Sequence, residues 1–427
     1  MELISAISTA EGRGGVAIVR VSGDGALSLA QKMFSRKGEY LPNMLYPGEI
    51  RGDGFTDYGM CVYFRAPRSF TGEDVVEFHC HGGTEIARGI LRQTLVLGAR
   101  LAGRGEFTRR AFLNGKLSLA AAEGMADMIN ASSLAEVRAG YALYGEKLTR
   151  EGARLQDGLK RCLASVDADV DYPEEDLNAD SRAEIVAELK KTEGELTALL
   201  KMYRTGKKIK SGVKVALCGK PNAGKSTLFN ALLGYDRAIV SPEAGTTRDI
   251  VEGELEIRGV LFRLIDTAGL REGESAVERE GIRRAENAIG SADVILWLKE
   301  GEKPDFPEGV PVIVAGAKSD LCKKEGCEIS LSAFTGEGIE ELKDLLYERG
   351  YGRENGENYL LEERHYRAAK EALKGVVAAK EAAEGGLPAE LYAEEIRRAW
   401  SALGEISGET ASEAIVTEIF EKFCVGK

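Results

Sequence analysis

Residues 219–227 read GKPNAGKST. They satisfy G-x-x-x-x-G-K-[ST], with Gly219, Gly224, Lys225 and Ser226 at the defining positions. The apolar run VKVAL precedes them and the amphipathic STLFNALLG follows, so the motif falls where a strand turns into a helix. The chemistry needs that context. Glycines let backbone N–H groups face phosphates at a helix N-terminus, where peptide dipoles favour an anion. Lys225 would reach the β and γ phosphates, and Ser226 would ligate Mg2+. Asn222, Ala223 and Thr227 complete the phosphate-binding loop.

Further along, DTAG at 266–269 follows the strand-like LFRLI. Asp266 would supply a carboxylate just outside the direct ligands of Mg2+, and Thr267, Ala268 and Gly269 line the γ-phosphate side. AKSD at 317–320 follows VPVIVAG and resembles the guanine-reading N-K-x-D of GTPases. Asp320 can accept from the N1 and N2 donors of guanine, which adenine lacks, while the Lys318 stem covers the ring. Ser332 and Ala333 in SLSAFTGEG belong to the last base-contacting loop. GTP is therefore the expected nucleotide. Ala317 stands where that motif has Asn, and one lost buried hydrogen bond costs about 1–3 kcal/mol. Weaker binding with guanine preference retained is the expectation. Leu270 follows DTAG, so the water-positioning Gln of Ras-like enzymes is missing.

Around this site the texture changes in blocks. Strand-like runs (VKVALCG, LFRLID, DVILWL, VPVIVAG, EISLSA) alternate with helical ones up to about residue 349. The first 115 residues mix strands such as GVAIVRVSG and GMCVYFRAP with a helix, TEIARGILRQTLVLGA. Ala, Leu, Glu and Lys at helical spacing fill roughly 117–204 and return after Tyr359. Ser181 and Glu184 form a capping box that predicts a helix start, with Ile185, Leu189, Leu196, Leu199 and Tyr203 on one face. The acidic run VDADVDYPEEDLNAD reads as a solvated loop around Pro173, and GKKIKSGVK as a basic linker. The expected fold class is α/β plus α. It comprises a mixed α+β N-terminal domain (1–116), a discontinuous helical domain (117–207 and 353–427), and an inserted Ras-like P-loop domain (208–352).

Over 427 residues the net charge is -12, which argues against wholesale coating of nucleic acid. Local basic patches such as GKKIKSGVK and RGEFTRR remain possible docking sites. No run of eighteen apolar residues predicts a membrane span. The start lacks the basic and apolar regions of a secretory signal. Seven scattered cysteines fit reduced cytoplasmic thiols better than a disulfide framework. His79 and His81 share a strand face without an evident third ligand, so hydrogen bonding is the expected role. The terminal CVGK is not a prenylation signal, because Gly426 and Lys427 are the wrong residues for one.

These motifs together resemble the MnmE (TrmE) family of tRNA-modification GTPases. GRGGVAIVRVSG, SFTGEDVVEFHCHGG, GEFTRRAFLNGKLSLAAAEGMADMI, DVDYPEED, AGTTRD and the terminal FCVGK carry the resemblance across essentially the whole chain. It implies a homodimer whose GTPase domains close when K+ binds beside the nucleotide, with the cation in the place of an arginine finger. Asn222 would give K+ its side-chain oxygen, and the loop around Ser241, Glu243 and Thr246 its backbone oxygens. Gly245 and Thr247 belong to AGTTRD, Thr247 as a Mg2+ ligand. Glu278 lines up with the family's water-orienting glutamate, which would answer the Leu270 substitution. The resemblance also implies that the N-terminal domain binds 5-formyl-tetrahydrofolate or a related one-carbon folate. Arg20, Glu77 and Lys116 match folate-contacting positions, and the last helix would bring Lys427 and Cys424 to that pocket, Cys424 near the reacting centre. With an FAD-dependent MnmG-type partner, the enzyme would add a carboxymethylaminomethyl or aminomethyl group at C5 of a wobble uridine in tRNA. One alternative is a non-catalytic GTPase switch in ribosome assembly. Another is a stand-alone folate aminomethyltransferase with a regulatory GTPase.

Overall fold

The computed structural model describes residues 2–10, 12–171, 178–235, 252–266, 286–322, 324–352 and 359–426. Backbone packing groups the chain into two compact units, one of residues 1–126, 144–176 and 388–427, the other of 127–143 and 177–387.

In the first unit, β1 (Ile4–Ile7), β2 (Val16–Ser22), β3 (Leu45–Arg51), β4 (Thr56–Phe64), β5 (Val75–His81) and β6 (Arg100–Leu101) form a sheet in the order β3-β4-β5-β2-β1-β6. Strand alternation sorts its faces. Val19, Val21, Val76, Phe78 and Cys80 are buried beneath α1 (Ala26–Met33) and α2 (Thr84–Val96). Arg20, Glu77 and His79 therefore lie on the opposite face. Part of that face is covered by α3 (Glu106–Leu113), whose Phe107 packs with Ile4, Ala6 and Ala102. Next in the chain come α4 (Leu119–Asn130), whose last residues pass into the second unit, α5 (Leu134–Tyr144), which belongs almost wholly to that unit, and α6 (Lys147–Asp171), back in the first.

The long run of the second unit, 177–387, begins with α7 (Asn178–Ser211), which leads almost directly into β7 (Val213–Cys218). After β7 come α8 (Lys225–Tyr235), β8 (Glu252–Ile257), β9 (Val260–Asp266), β10 (Val294–Leu298), β11 (Val312–Ala317), β12 (Ile329–Leu331) and α9 (Ile339–Leu346). The sheet order is β12-β11-β10-β7-β9-β8, parallel except for the β8–β9 hairpin. Strand order reverses on either side of β7, so its C-terminal end sits at a topological switch point, where α/β sheets bind ligands. The expected buried strands all form. The edge strand β8 was not legible, because its sequence EGELEI carries three glutamates on an antiparallel edge that needs burial on one face only.

Helices on either side of the α/β segment pair with each other. In the first unit α6 packs along α11 (Ala389–Ser407), ahead of α12 (Glu413–Glu421). In the second, α7 packs along α10 (Glu363–Glu384). On α7 the expected face is the packed one. Ile185, Leu189, Leu196 and Leu199 are buried, and Tyr203 stacks on Tyr366 at 4.3 Å between ring centroids.

Three local expectations are corrected. Helix α7 begins at Asn178, so Ser181 lies inside it and is not its N-cap. The acidic run is helical at both ends, with α6 reaching Asp171 past the buried Val166 and α7 starting at Asn178; the loop expected around Pro173 falls in 172–177, outside the described residues. GKKIKSGVK is the end of α7 and the start of β7, not a linker, and two of its lysines, Lys208 and Lys210, find partners within the fold.

Candidate functional site

The loop between β7 and α8 is built by backbone geometry. Gly224 has φ +98°, and Asn222 also adopts a left-handed conformation at +65°. A Cβ on Gly219 would stand 3.0 Å from the carbonyl oxygen of Leu298, so the loop leaves the sheet pressed against the end of β10. Lys225, only 5% exposed, donates from Nζ to the carbonyls of Gly219 and, at 2.7 Å, Lys220. Burial lowers its pKa, with the Asp266 carboxylate acting in the opposite sense. Asp266 ends β9 opposite Leu217 of β7, and Ser226 is exposed at the start of α8. Their hard oxygens suit Mg2+. Ala223 is buried, whereas Asn222 and Thr227 are exposed.

At the ends of β11 and β12 two further loops meet. Ser319 N donates to Leu331 O at 3.0 Å, and Ser319 Oγ donates to Glu337 Oε2 at 2.8 Å. Lys318, at φ +63°, sends Nζ to Asn222 O in the phosphate loop, 2.8 Å away. Asp320 is exposed beside it. Ser332 is fully buried; its amide donates to Glu337 O and its carbonyl accepts from Gly336 N, while Ala333 packs partly against the core. Ala317 is 4% exposed and faces Gly224, where an added methyl group would lie 3.7 Å from the alanine Cβ. Sequence reasoning named the missing Asn amide here but not the Lys318 tie, which joins the base loop to the phosphate loop in its own way. Ser241, Glu243, Gly245, Thr246, Thr247, Thr267, Ala268, Gly269, Leu270 and Glu278 lie outside the described residues.

The N-terminal sheet gathers a second constellation. Arg20 and Glu77 are register partners on β2 and β5, with Arg20 Nε donating to Glu77 Oε1 at 2.8 Å. His79 Nε2 lies 3.1 Å from Glu77 Oε2. Burial opposes ionisation of Glu77, but the His79 hydrogen bond and the Arg20 charge outweigh it and hold its pKa below the usual glutamate value. The Arg20 guanidinium lies 5.7 Å from the Phe70 ring centroid and 5.6 Å from that of Phe107. These two rings were missed, Phe70 half-buried and Phe107 wholly buried, and SFTGED and GEFTRR gave no periodic signal that could have revealed them. Lys116 donates to Pro67 O at 3.0 Å, in the loop that also carries Phe70.

The C-terminal tail is docked on this sheet. Val425 forms an antiparallel bridge with Arg104, and Ser8 Oγ donates to Gly426 O at 3.1 Å. Gly426 has φ +94°, and a Cβ there would overlap Ile7 O, so the backbone approaches β1 as only glycine permits. Gly105 N reaches Cys424 O at 3.4 Å, and the Cys424 side chain is exposed. Lys427 lies outside the described residues.

Both histidines of FHCHGG have carboxylate partners, His79 with Glu77 and His81 Nδ1 with Asp57 Oδ1 at 2.7 Å. The candidate tRNA patches are partly paired within the fold. In RGEFTRR, Arg110 is buried against Glu73 and Glu106. In GKKIKSGVK, Lys208 donates to Gly350 O at 2.6 Å, and Lys210 is held by Asp127 and Glu362. These three charges are engaged inside the fold, whereas Arg104 and Lys207 of the same runs are exposed. No helix among the described residues is long and apolar enough to cross a membrane.

The chain matches the family model described as MnmE helical domain over residues 119–424, and that described as GTP-binding protein TrmE N-terminus over residues 3–116. It is 40% identical to the tRNA modification GTPase MnmE of Azoarcus sp. (strain BH72), covering 100% of this chain and 98% of that protein. To the protein of the same name from Aquifex aeolicus (strain VF5) it is 39% identical, covering 100% of both.

Proposed function

The chain belongs to the family of tRNA modification GTPases named MnmE, and from that premise we propose a K+-stimulated GTP hydrolase that acts in modification of the tRNA wobble uridine. The observation that carries the reading is the joined nucleotide site: a buried P-loop lysine, and a guanine-reading loop tied to the P-loop through Lys318 and Asn222.

In GTP, phosphate oxygens would replace the Gly219 and Lys220 carbonyls as acceptors for Lys225. Asp320 would accept from N1 and N2 of guanine beside Ser332 and Ala333. Ser226, Thr247 and Asp266 would hold Mg2+, directly or through water, and its charge would help neutralise the phosphates. Asn222 with the backbone of Ser241, Glu243 and Thr246 would hold K+. Gly245, Thr267, Ala268 and Gly269 would surround the γ-phosphate, and Glu278 would orient the attacking water. Phosphoryl transfer asks for positioning and charge stabilisation above all, so these groups suffice in kind.

The N-terminal sheet would bind 5-formyl-tetrahydrofolate or a related folate. The Arg20–Glu77 pair beside the half-buried Phe70 ring offers an acceptor and a cation next to a flat apolar surface, which suits a pterin, while the buried Phe107 supports Arg20 from the core side. Lys116, Lys427 and Cys424 would complete that pocket. A homodimer working with an FAD-dependent MnmG-family partner in the cytoplasm would then modify C5 of the wobble uridine. The divisions 1–116, 117–207, 208–352 and 353–427 are proposed as the folate, helical, GTPase and returning helical parts.

The deciding experiment is steady-state GTP hydrolysis in KCl and in NaCl at equal ionic strength, with Glu278→Ala alongside. Strong K+ stimulation that the variant loses is the expected result. Equal rates in the two salts would sink the cation mechanism and favour the non-catalytic switch.

A further inference from the structure

Phe334 is 88% exposed and Leu321 79%, the two highest values among the exposed large apolar side chains of the described residues. Both belong to the paired loops at the C-terminal ends of β11 and β12. Leu321 directly follows Asp320, and Phe334 directly follows Ala333. In the parallel register Ala317 lies opposite Leu331, so Asp320 and Phe334 each stand three residues beyond a matched pair.

The Phe334 loop is a small, braced turn. Ser332 N donates to Glu337 O at 3.0 Å, Gly336 N to Ser332 O at 2.9 Å, and Thr335 N to Ser332 Oγ at 3.3 Å. Ser319 ties the same turn to the Asp320 loop through Leu331 O and Glu337. A braced turn that projects an aromatic ring into water holds a flat apolar surface ready at little further loss of freedom. The purine is the flat partner due beside this loop, and Ala317 leaves the site one hydrogen bond short of what its motif normally gives.

We propose that Phe334 contacts the base, its ring covering the purine of the bound guanine nucleotide and offsetting by stacking part of what Ala317 does not supply. The assignment rests on the GTPase reading of the same site. Stacking is indifferent to the base edge, whereas Asp320 reads it. Phe334 therefore sets affinity, and Asp320 sets the choice of base.

The test is calorimetric titration of the full chain with GDP and with IDP, whose base lacks the 2-amino group. Phe334→Ala should weaken both about ten-fold and leave their ratio unchanged. Phe334→Trp should restore binding, while Asp320→Asn should change the ratio. Wild-type affinity in Phe334→Ala overturns the assignment, and does so equally if that variant instead loses self-association, which would place the ring in a protein interface. If the unaltered chain binds neither nucleotide, the GTPase reading falls and this assignment with it.

Discussion

Ala317 removes an amide from the base site, yet the loop that carries it stays fastened to the phosphate loop through Lys318 Nζ and Asn222 O. Restoring the amide should therefore add a base contact to a site already in place. Ala317→Asn should tighten GDP binding by about ten-fold, the equivalent of about one buried hydrogen bond, when measured by titration. Unchanged affinity would mean that the space facing Gly224 cannot admit the larger side chain. Lys225 presents the opposite case. Its ammonium is buried within the P-loop, so Lys225→Ala should abolish measurable GTP binding while melting within a few degrees of the parent. Glu77 carries a pH signature. Its folded pKa lies below the unfolded value of about 4.3, so its contribution is present above that pH and lost as pH falls through the folded value. Glu77→Gln should lower the melting temperature at pH 7, and the difference should fade in acid.

Among the elements, the terminal segment depends most on a single residue. Gly426 brings it within van der Waals distance of β1 at a left-handed φ, and an added methyl would overlap Ile7 O. Gly426→Ala should lift residues 424–426 off the sheet. The amides nearby would then exchange faster with solvent, and tRNA modification would fall while GTP hydrolysis persisted. Slow exchange kept in the variant would refute that dependence. Helix α7 shows which element-scale signals can be read in advance. Its apolar face from Ile185 to Tyr203 was legible because helical spacing is local, and its start was not, because a capping box is only a short signal set against the helix that continues upstream.

At the scale of the molecule, Lys210 near the end of α7 bridges Asp127 on α4 and Glu362 just before α10, three segments far apart in sequence. Asp127 is 7% exposed; burial and the Glu362 charge raise its pKa to about 7, against the opposing pull of Lys210. A folded carboxyl with a raised pKa keeps its proton where the unfolded chain, with a pKa of about 3.9, has released it. Its contribution is fully present below pH ~4 and lost as pH rises through about 7. Urea unfolding from pH ~5 to ~8 should show stability falling through this window in the parent and a flatter profile in Asp127→Asn. Equal slopes would remove Asp127 from the account.

The ends of β7, β9 and β11 that carry the candidate nucleotide motifs were legible because each motif is a short contiguous run following an apolar strand, where backbone geometry and side-chain chemistry are written together. The buried strands β7 and β9 to β12 were legible for the same reason, since both faces are covered and the runs stay apolar. Which charges face water was decided only by the tertiary structure. Arg110, Lys208 and Lys210 look like surface cations in sequence, but partners as remote as Glu73, Gly350, Asp127 and Glu362 turn them inward. Charge pairing depends on distance in space, and no periodicity along the chain encodes which distant carboxylate or carbonyl will arrive beside a given lysine.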